Sequence, residues 1–461
     1  MAVWSIVDYK EVQQTLRYDA EYYRPEYREN IIALREITSC PVVPLKDRLL
    51  SIGGGATPLG AQYPPTGIPF LRSQNIMPGY LDLSDVEYIE AEIHTKQLNR
   101  SQLQPGDVLM TITGFTYGKA TYVPDDLGPA NINQHSVRMA FTADLLPEYV
   151  ATFLNCRYGK LQSDKLVTGI TRPALNYVDI KSMLIPVLPL SQQHEVRDLA
   201  KQAEAARKES GALYAEAEAL LLRELRLGSV ALPTAKTYTA SFTEVMAAER
   251  MDAEYYQPRY YALLALLQKT GAAGRLGNYL RSPVKRGVQP SYEAGGELPV
   301  IKSQHIGVRS IVLDDPDSRA SAEFGQAPKN RRALVGYGDV LLNSTGVSTI
   351  GRCQPLLQNV TALADGHVAI LRCGPALDPV YLSAFLNSPA GYMQTERAWT
   401  GSSGQIELRP DLVEEYTVWV APMELQRTIR DMIETAQQLR ESASGYLGAA
   451  QRRVEEFIQA S

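Results

Sequence analysis

The chain has 461 residues, of which 45% are hydrophobic and 21% charged, and it carries a formal net charge of −5. That length calls for several domains rather than one core, and the composition is that of an ordinary globular protein without the apolar run of ~20 residues that a membrane span needs. The negative balance argues against a protein that holds DNA by bulk charge, because phosphate neutralisation draws on Lys and Arg, so the distribution of charge has to decide. The opening Met1-Ala-Val-Trp-Ser-Ile-Val-Asp8 has neither a basic nor an apolar leader, so no signal peptide and a cytoplasmic location are expected. Cys40, Cys156, Cys353 and Cys373 form no Cys-x-x-Cys pair, and the reading is reduced, buried thiols rather than a zinc site or a disulfide framework.

The chain repeats itself at a period of roughly 232 residues. Arg17-Tyr-Asp-Ala-Glu-Tyr-Tyr-Arg-Pro-Glu-Tyr27 returns as Arg250-Met-Asp-Ala-Glu-Tyr-Tyr-Gln-Pro-Arg-Tyr260. Ile68-Pro-Phe-Leu-Arg-Ser-Gln-Asn-Ile76 returns as Leu298-Pro-Val-Ile-Lys-Ser-Gln-His-Ile306, and Gly106-Asp-Val-Leu-Met110 as Gly338-Asp-Val-Leu-Leu342. Phe153-Leu-Asn155 returns as Phe385-Leu-Asn387. The order of these strings predicts six parts: an N-terminal segment over 1–36, a globular domain over 37–188, a helix over 189–228, a linker with the repeated N-terminal segment over 229–275, a second globular domain over 276–420, and a second helix over 421–461.

In chain order, Ile68–Leu71, Val108–Ile112 and Val137–Phe141 read as strands, Pro147–Cys156 as a short helix, and Val300–Lys302, Val340–Leu342, Val368–Leu371 and Pro379–Asn387 as their counterparts. The fold class is therefore mixed α/β, in two tandem copies. Ser191 to Leu227 and Met423 to Ala460 are rich in Ala, Glu, Arg, Gln and Leu and read as long helices. Val196, Leu199, Ala203, Ala206, Leu213, Ala217 and Leu220 recur at three and four, as do Leu425, Ile429, Met432, Ala436, Leu439, Ala443, Tyr446, Ala450, Val454 and Phe457. Such a seam suits an antiparallel two-helix coiled coil about 50 Å long that separates the globular copies. Packing of each helix on its own globular copy is the alternative.

Three groups of strings resemble the specificity subunit of type I restriction–modification systems. They are Ile52-Gly-Gly-Gly-Ala-Thr-Pro58 with Gly67–Ile76; Pro105-Gly-Asp-Val-Leu-Met-Thr-Ile-Thr-Gly114 with Tyr117-Gly-Lys119 and Ile132-Asn-Gln-His135; and Thr168-Gly-Ile-Thr-Arg-Pro-Ala-Leu-Asn176 running into Ile185–Gln193. The second copy departs from the pattern, with Lys285-Arg-Gly-Val-Gln-Pro290 and Gly401-Ser-Ser-Gly-Gln405 in place of the corresponding strings. The resemblance implies a non-catalytic subunit whose two target recognition domains each read one half of a split, asymmetric site in double-stranded DNA. It implies that the helices set the gap and dock two methyltransferase subunits, and that S-adenosylmethionine is bound by those subunits, for methylation of adenine at N6, and not by this chain. It also implies that motor–nuclease subunits can join the complex.

The residue chemistry offers candidate contacts. Arg72, Gln74 and Asn75 follow a strand, as do Lys302, Gln304 and His305; Arg or Lys pairs with guanine and Gln or Asn with adenine in the major groove. The same residues also suit a turn whose side chains cap backbone groups. Lys119 and Arg352 follow glycine-bearing loops and suit a phosphate or base contact, or a plain solvated charge. Thr171, Arg172, Ser403 and Gln405 lie on small-residue loops where backbone can approach DNA closely. The Asp19/Tyr22/Tyr23 and Asp252/Tyr255/Tyr256 clusters are unchanged between copies, which favours packing against the long helices or a partner over base stacking. No metal, nucleotide-loop, hydrolase or methyltransferase motif is legible. Two other readings stay open: a duplicated protein-binding scaffold, which the acidic balance favours, and a stand-alone nuclease.

Overall fold

The computed structural model describes residues 4–58, 60, 62–169, 171–227, 232–401, 404 and 406–460. It divides into two compact units, one made of 1–208 with 440–461 and the other of 209–439. Both units are mixed α/β, and each contains one part of either long helix.

In the first unit an antiparallel sheet runs in the order Leu49–Gly54, Ser136–Phe141, Val108–Thr111, Ala120–Tyr122. A smaller sheet sets Ile68–Leu71 between Glu87–Ile89 and Asn131–Ile132, the latter pair parallel. The strand Val108–Thr111 is buried along its whole length, because Val108 and Met110 face the core around Tyr149 and Phe153 while Leu109 faces Leu71, Ile76 and Ile132. Burial on both faces explains why this strand reads as a continuous apolar run instead of an alternating one. Helices Pro147–Asn155 and Arg157–Leu166 cover the first face.

The second unit repeats this plan. Of its two four-stranded sheets, one is ordered Lys285–Arg286, Val368–Leu371, Val340–Asn343, Cys353–Pro355. Its other sheet places Leu298–Ile301 between Arg319–Ala320 and Ala362–Ala364, with the last pair again parallel. Val340 and Leu342 face the core around Tyr381 and Phe385, and Leu341 faces Ile301, Ala364 and Val368.

The same side chains fasten both copies. Asn155 accepts from the Ala120 amide and donates to the Ala120 carbonyl, and Asn387 does the same at Cys353. The Tyr149 hydroxyl donates to the Pro186 carbonyl, and that of Tyr381 to the Trp419 carbonyl. Arg17 forks onto Asp19 and Arg250 onto Asp252, while the hydroxyls of Tyr23 and Tyr256 donate to the carbonyls of Arg17 and Arg250. The tyrosine clusters are therefore clasps. Lys165, on the helix Arg157–Leu166, lies over the Tyr22 ring, and Arg397, on the helix Pro389–Ala398, lies over Tyr255.

The long helices run Leu190–Glu224 and Met423–Gln459, and neither Gly211 nor Gly445 interrupts them. In the first unit Arg453 pairs with Glu195 at 2.8 Å. In the second the Ser210 hydroxyl donates to the Ala436 carbonyl at 2.7 Å. Buried positions on the first helix are Gln193, Val196, Ala200, Ala203, Ala206, Ser210, Ala217 and Leu221. On the second they include Gln426, Ile429, Ile433, Ala436, Ala443, Ala450, Val454 and Phe457. These recur with a seven-residue period, as a coiled-coil seam does. The expected first seam is one position out in places: Leu199, Leu213 and Leu220 are only half-buried, and Ala200, Ser210 and Leu221 take the interior. Small residues let the helices approach closely, and the larger leucines flank the contact.

Candidate nucleic-acid interface

Because Ile68–Leu71 and Asn131–Ile132 are parallel, the turns that follow them leave the sheet at the same edge. The Asn133 amide donates to the Leu71 carbonyl at 3.0 Å and draws the two turns together. The chain at Gly55 crosses so close that a Cβ there would lie 2.2 Å from the Ile132 and Asn133 carbonyl oxygens. Gly287 meets the Ala364 carbonyl in the same way, so these two positions require glycine although the surrounding strings differ. Two further loops are bonded to the same edge. Ile112 N–H donates to the His135 carbonyl, Leu175 N–H to the Ile112 carbonyl and Gly114 N–H to the Pro173 carbonyl, each at 2.9 Å. The Arg72 turn, the Asn133–His135 turn, the loop up to Lys119 and the Thr171–Arg172 hairpin thus form one rim.

The candidates on this rim have distinct settings. Arg72 is half-buried and faces Glu87 at 3.3 Å and Asp85 at 3.9 Å, with its Nε buried and unpartnered. Gln74 is exposed and donates to Asp85 at 3.0 Å. Asn75 is buried: its Oδ1 accepts from the Arg72 amide, and its Nδ2 donates to the carbonyls of Asp82 and Asp85. Lys119 is half-buried beside the Met77 sulfur with no carboxylate partner among the described residues, and burial holds its ammonium below the usual lysine range. Thr171 and Arg172 are exposed. Arg172 donates to His135 Nε2 at 3.4 Å, and burial together with the Arg172 charge lowers the His135 pKa.

The second unit assembles an equivalent rim. Asp365 N–H donates to the Ile301 carbonyl, Ser344 N–H to the His367 carbonyl and Leu408 N–H to the Ser344 carbonyl. Lys302 lies over the Tyr292 ring at 4.0 Å. Gln304 is exposed, with its amide 3.4 Å from His305 Nε2. His305 is buried, its Nε2 2.9 Å from Asp315, and its Nδ1 takes the Lys302 amide at 3.2 Å as Asn75 takes that of Arg72. The exchange of Asn75 for His305 between copies therefore keeps a turn bond. Arg352 is half-buried and forms no ion pair among the described residues. Arg286 pairs with Glu407 and donates to the Leu408 carbonyl. Ser403 and Gln405 lie outside the described residues.

The loop tips carry two residues that the sequence reading passed over. Phe115 is 86% exposed and Val347 59% exposed, each directly after the first glycine of its loop. The legible signal was a large apolar residue inside an otherwise turn-like stretch bounded by Gly114 and Gly118. Among the described residues no group of three His, Cys, Asp or Glu side chains is arranged to hold a metal ion, and no helix is long and apolar enough to cross a membrane. What the rims offer is cations, amides and an apolar tip on rigid turns.

No family model matches the chain. A stretch of 141 residues is 28% identical to the type I restriction enzyme EcoKI specificity subunit of Escherichia coli (strain K12), covering 28% of this chain and 29% of that protein. A stretch of 140 residues is 30% identical to the type I restriction enzyme EcoBI specificity subunit of Escherichia coli, covering 28% of this chain and 27% of that protein. The matches thus span less than a third of either relative. Among solved structures, the S subunit of the type I restriction–modification system of M. genitalium aligns over 92% of this chain and 97% of its own, at 10% identity and a TM-score of 0.42. The chain is similar to type I specificity subunits.

Proposed function

We propose that this chain is the DNA-reading subunit of a type I restriction–modification or related DNA-methylating complex, and catalyses nothing itself. Each rim reads one half of a bipartite site in double-stranded DNA, through the major groove. Arg72, Lys119 and Arg172 serve one half; Lys302 and Arg352 serve the other. The long helices, 35 and 37 residues, set the gap between the half-sites and dock two methyltransferase subunits, which bring the S-adenosylmethionine. Motor–nuclease subunits join the same complex where the locus encodes them.

One observation carries this reading. Framework bonds recur at matching residues of the two units, such as Asn155 with Asn387 and Tyr149 with Tyr381, while rim residues differ: Gln134 against Gly366, Lys119 against Arg352, Phe115 against Val347. Two readers of different sequences on one scaffold require that division. A scaffold binding two copies of one partner would keep its rims alike. The net charge of −5 fits a subunit that relies on partners for much of its phosphate contact.

The test is binding of fluorescent duplexes by the chain alone and with its methyltransferase, alongside methylome sequencing of cells that carry the locus. The expected result is weak, salt-sensitive binding alone and selective binding to a split adenine-methylated site in the complex. Absence of DNA affinity in both states refutes the proposal in favour of a protein scaffold. Sequence-independent, Mg2+-dependent cutting by the chain alone refutes it in favour of a nuclease.

A further inference from the structure

A lone exposed apolar side chain is ordinary on a protein surface and by itself calls for no explanation. Phe115 and Val347 differ in that the same position is exposed and apolar in both copies, each at the tip of a loop held open by hydrogen bonds. In the first unit the Gly114 amide donates to the Pro173 carbonyl at 2.9 Å, the Tyr117 amide to the Gly114 carbonyl at 3.1 Å and the Gly118 amide to the Thr111 carbonyl at 2.9 Å. The Thr111 hydroxyl donates to the Thr116 carbonyl, and the Tyr117 hydroxyl to Asp164 at 2.9 Å. In the second unit Gly346 N–H donates to the Ile406 carbonyl at 3.2 Å, Thr349 N–H to the Gly346 carbonyl at 3.1 Å and Gly351 N–H to the Asn343 carbonyl at 2.9 Å. The glycines at both ends of each loop adopt positive φ, 80° and 82° in one and 89° and 84° in the other, which fixes a tight reversal that other residues resist. These bonds fix the backbone that carries Phe115 at the tip of its loop.

Basic residues lie near each tip along the chain, with Asp164 bonded to Tyr117 of the first loop and Glu407 bridged to Thr345 of the second. Lys119 follows the first loop and Arg172 sits on the hairpin paired with it through Thr113 and Ala174. Arg352 follows the second loop. An exposed apolar group on a preorganised loop that leads into a basic residue matches the one feature of the major groove that is apolar, the C5-methyl of thymine. A wedge driven between base pairs needs a broad side chain. Val347 is too small for that, and the shared chemistry of phenyl and isopropyl is contact with a methyl group.

Resting on the DNA-reading role proposed above, we infer that Phe115 and Val347 are specificity-determining residues, each seated against a thymine methyl in the half-site its unit reads. The loop bonds hold the side chain at the height of the base edge, and Lys119 or Arg352 grips the neighbouring phosphate. A larger apolar surface at Phe115 makes its contact the stronger of the two.

The test uses the full chain with its methyltransferase and a duplex bearing the site found by methylome sequencing. Each thymine of the site is replaced in turn by deoxyuridine, which deletes only the methyl. For the wild-type complex, one such replacement in the first half-site is expected to weaken binding about fourfold, the worth of one buried methyl group. For Phe115→Ala the unmodified site binds at least that much more weakly, and the same deoxyuridine then has no effect; Val347→Ala behaves likewise at a thymine of the other half-site. Both side chains are exposed, so the variants are expected to fold, and unchanged circular dichroism checks it. Selective binding by wild type with Phe115→Ala indistinguishable from it, or with no deoxyuridine position whose effect vanishes in the variant, overturns the inference and leaves the DNA-reading role standing. Absence of any selective binding by the wild-type complex overturns both.

Discussion

Gln426 is the side chain on which the second long helix is seated, and its removal has a calculable cost. It lies fully buried at the start of the helix Met423–Gln459. Its Oε1 accepts from the Asp378 amide at 2.8 Å, and its Nε2 donates to the carbonyls of Ala421 at 2.8 Å and Ala376 at 3.1 Å. Gln426→Ala strands one buried N–H and two carbonyls. At about 1 kcal/mol for each bond lost, the expected destabilisation is about 3 kcal/mol. With a urea dependence of about 3 kcal/mol/M, the unfolding midpoint falls by about 1 M. Trp399 and Trp419 both belong to the same unit, and Trp419 is buried, so intrinsic fluorescence reports its unfolding directly. Gln426→Glu is expected to be no better than Ala. It keeps the acceptor for Asp378 but sets a carboxylate against two carbonyl oxygens. Exposed Gln202→Ala serves as the control and stays within about 0.5 kcal/mol of wild type. A midpoint for Gln426→Ala within about 0.3 M of wild type would refute the claim that this amide is the fastening point.

The other expectations are simpler to state. Arg250 donates to Asp252 through a two-pronged bond that holds its carboxyl below the usual value of 3.8, so the pair stabilises the fold above that pH and loses its effect as pH falls through the lowered value. Asp252→Asn is then expected to lower stability at pH 7, with the gap to wild type closing on acidification; a gap constant from about pH 7 to about pH 2.5 counts against it. Burial pushes the thiols of Cys156 and Cys373 up to about 12 and that of Cys353 higher still. A disulfide reagent at about pH 8 should therefore titrate at most Cys40 in the native chain and all four thiols after denaturation. Lys119→Ala and Arg352→Ala should each weaken DNA binding by the complex and reduce the steepness of its salt dependence by about one unit; an unchanged slope removes that residue from the phosphate contacts.

The parts of this fold that were legible in the sequence are those where burial writes a pattern. The strand Val368–Leu371 and the helix Pro379–Asn387 fall where the apolar runs and the leading proline put them. The long helices likewise begin and end within a few residues of their alanine- and glutamate-rich spans. The register of the first helix was less legible, because its interior is made of Ala200, Ala203, Ser210 and Ala217, which differ little in hydrophobicity from residues that face water. Leucines at 199, 213 and 220 carry the louder signal and lie on the flank. Helices Arg157–Leu166 and Pro389–Ala398 escaped because many of their buried positions are glycine or polar: Gly159, Gln162 and Ser163 in one, and Gly391, Gln394 and Thr395 beside Ala390, Met393 and Ala398 in the other. Gln162 and Gln394 donate to the carbonyls of Leu184 and Thr417, and Thr395 accepts from the Tyr416 hydroxyl, partners that only the tertiary structure supplies.

The rim was legible as strings and opaque as chemistry, for the same reason. A Ser-Gln followed by Asn or His looks like a base reader that diverges between copies, yet Asn75 Oδ1 and His305 Nδ1 both cap the amide three residues earlier. The two atoms stand at the same reach from the backbone and accept the same bond. Divergence alone thus does not mark a contact residue; the sharper criterion is divergence at a position whose side chain is not committed to a bond among the described residues. By that criterion Asn75 and His305 belong to the framework, and Arg72 is half committed to it through Glu87 and Asp85. Phe115 against Val347, and Lys119 against Arg352, remain. On the DNA-reading role proposed above, specificity is therefore expected to reside in the two glycine-bounded loops and the hairpins bonded to them, more than in the turn after the strand.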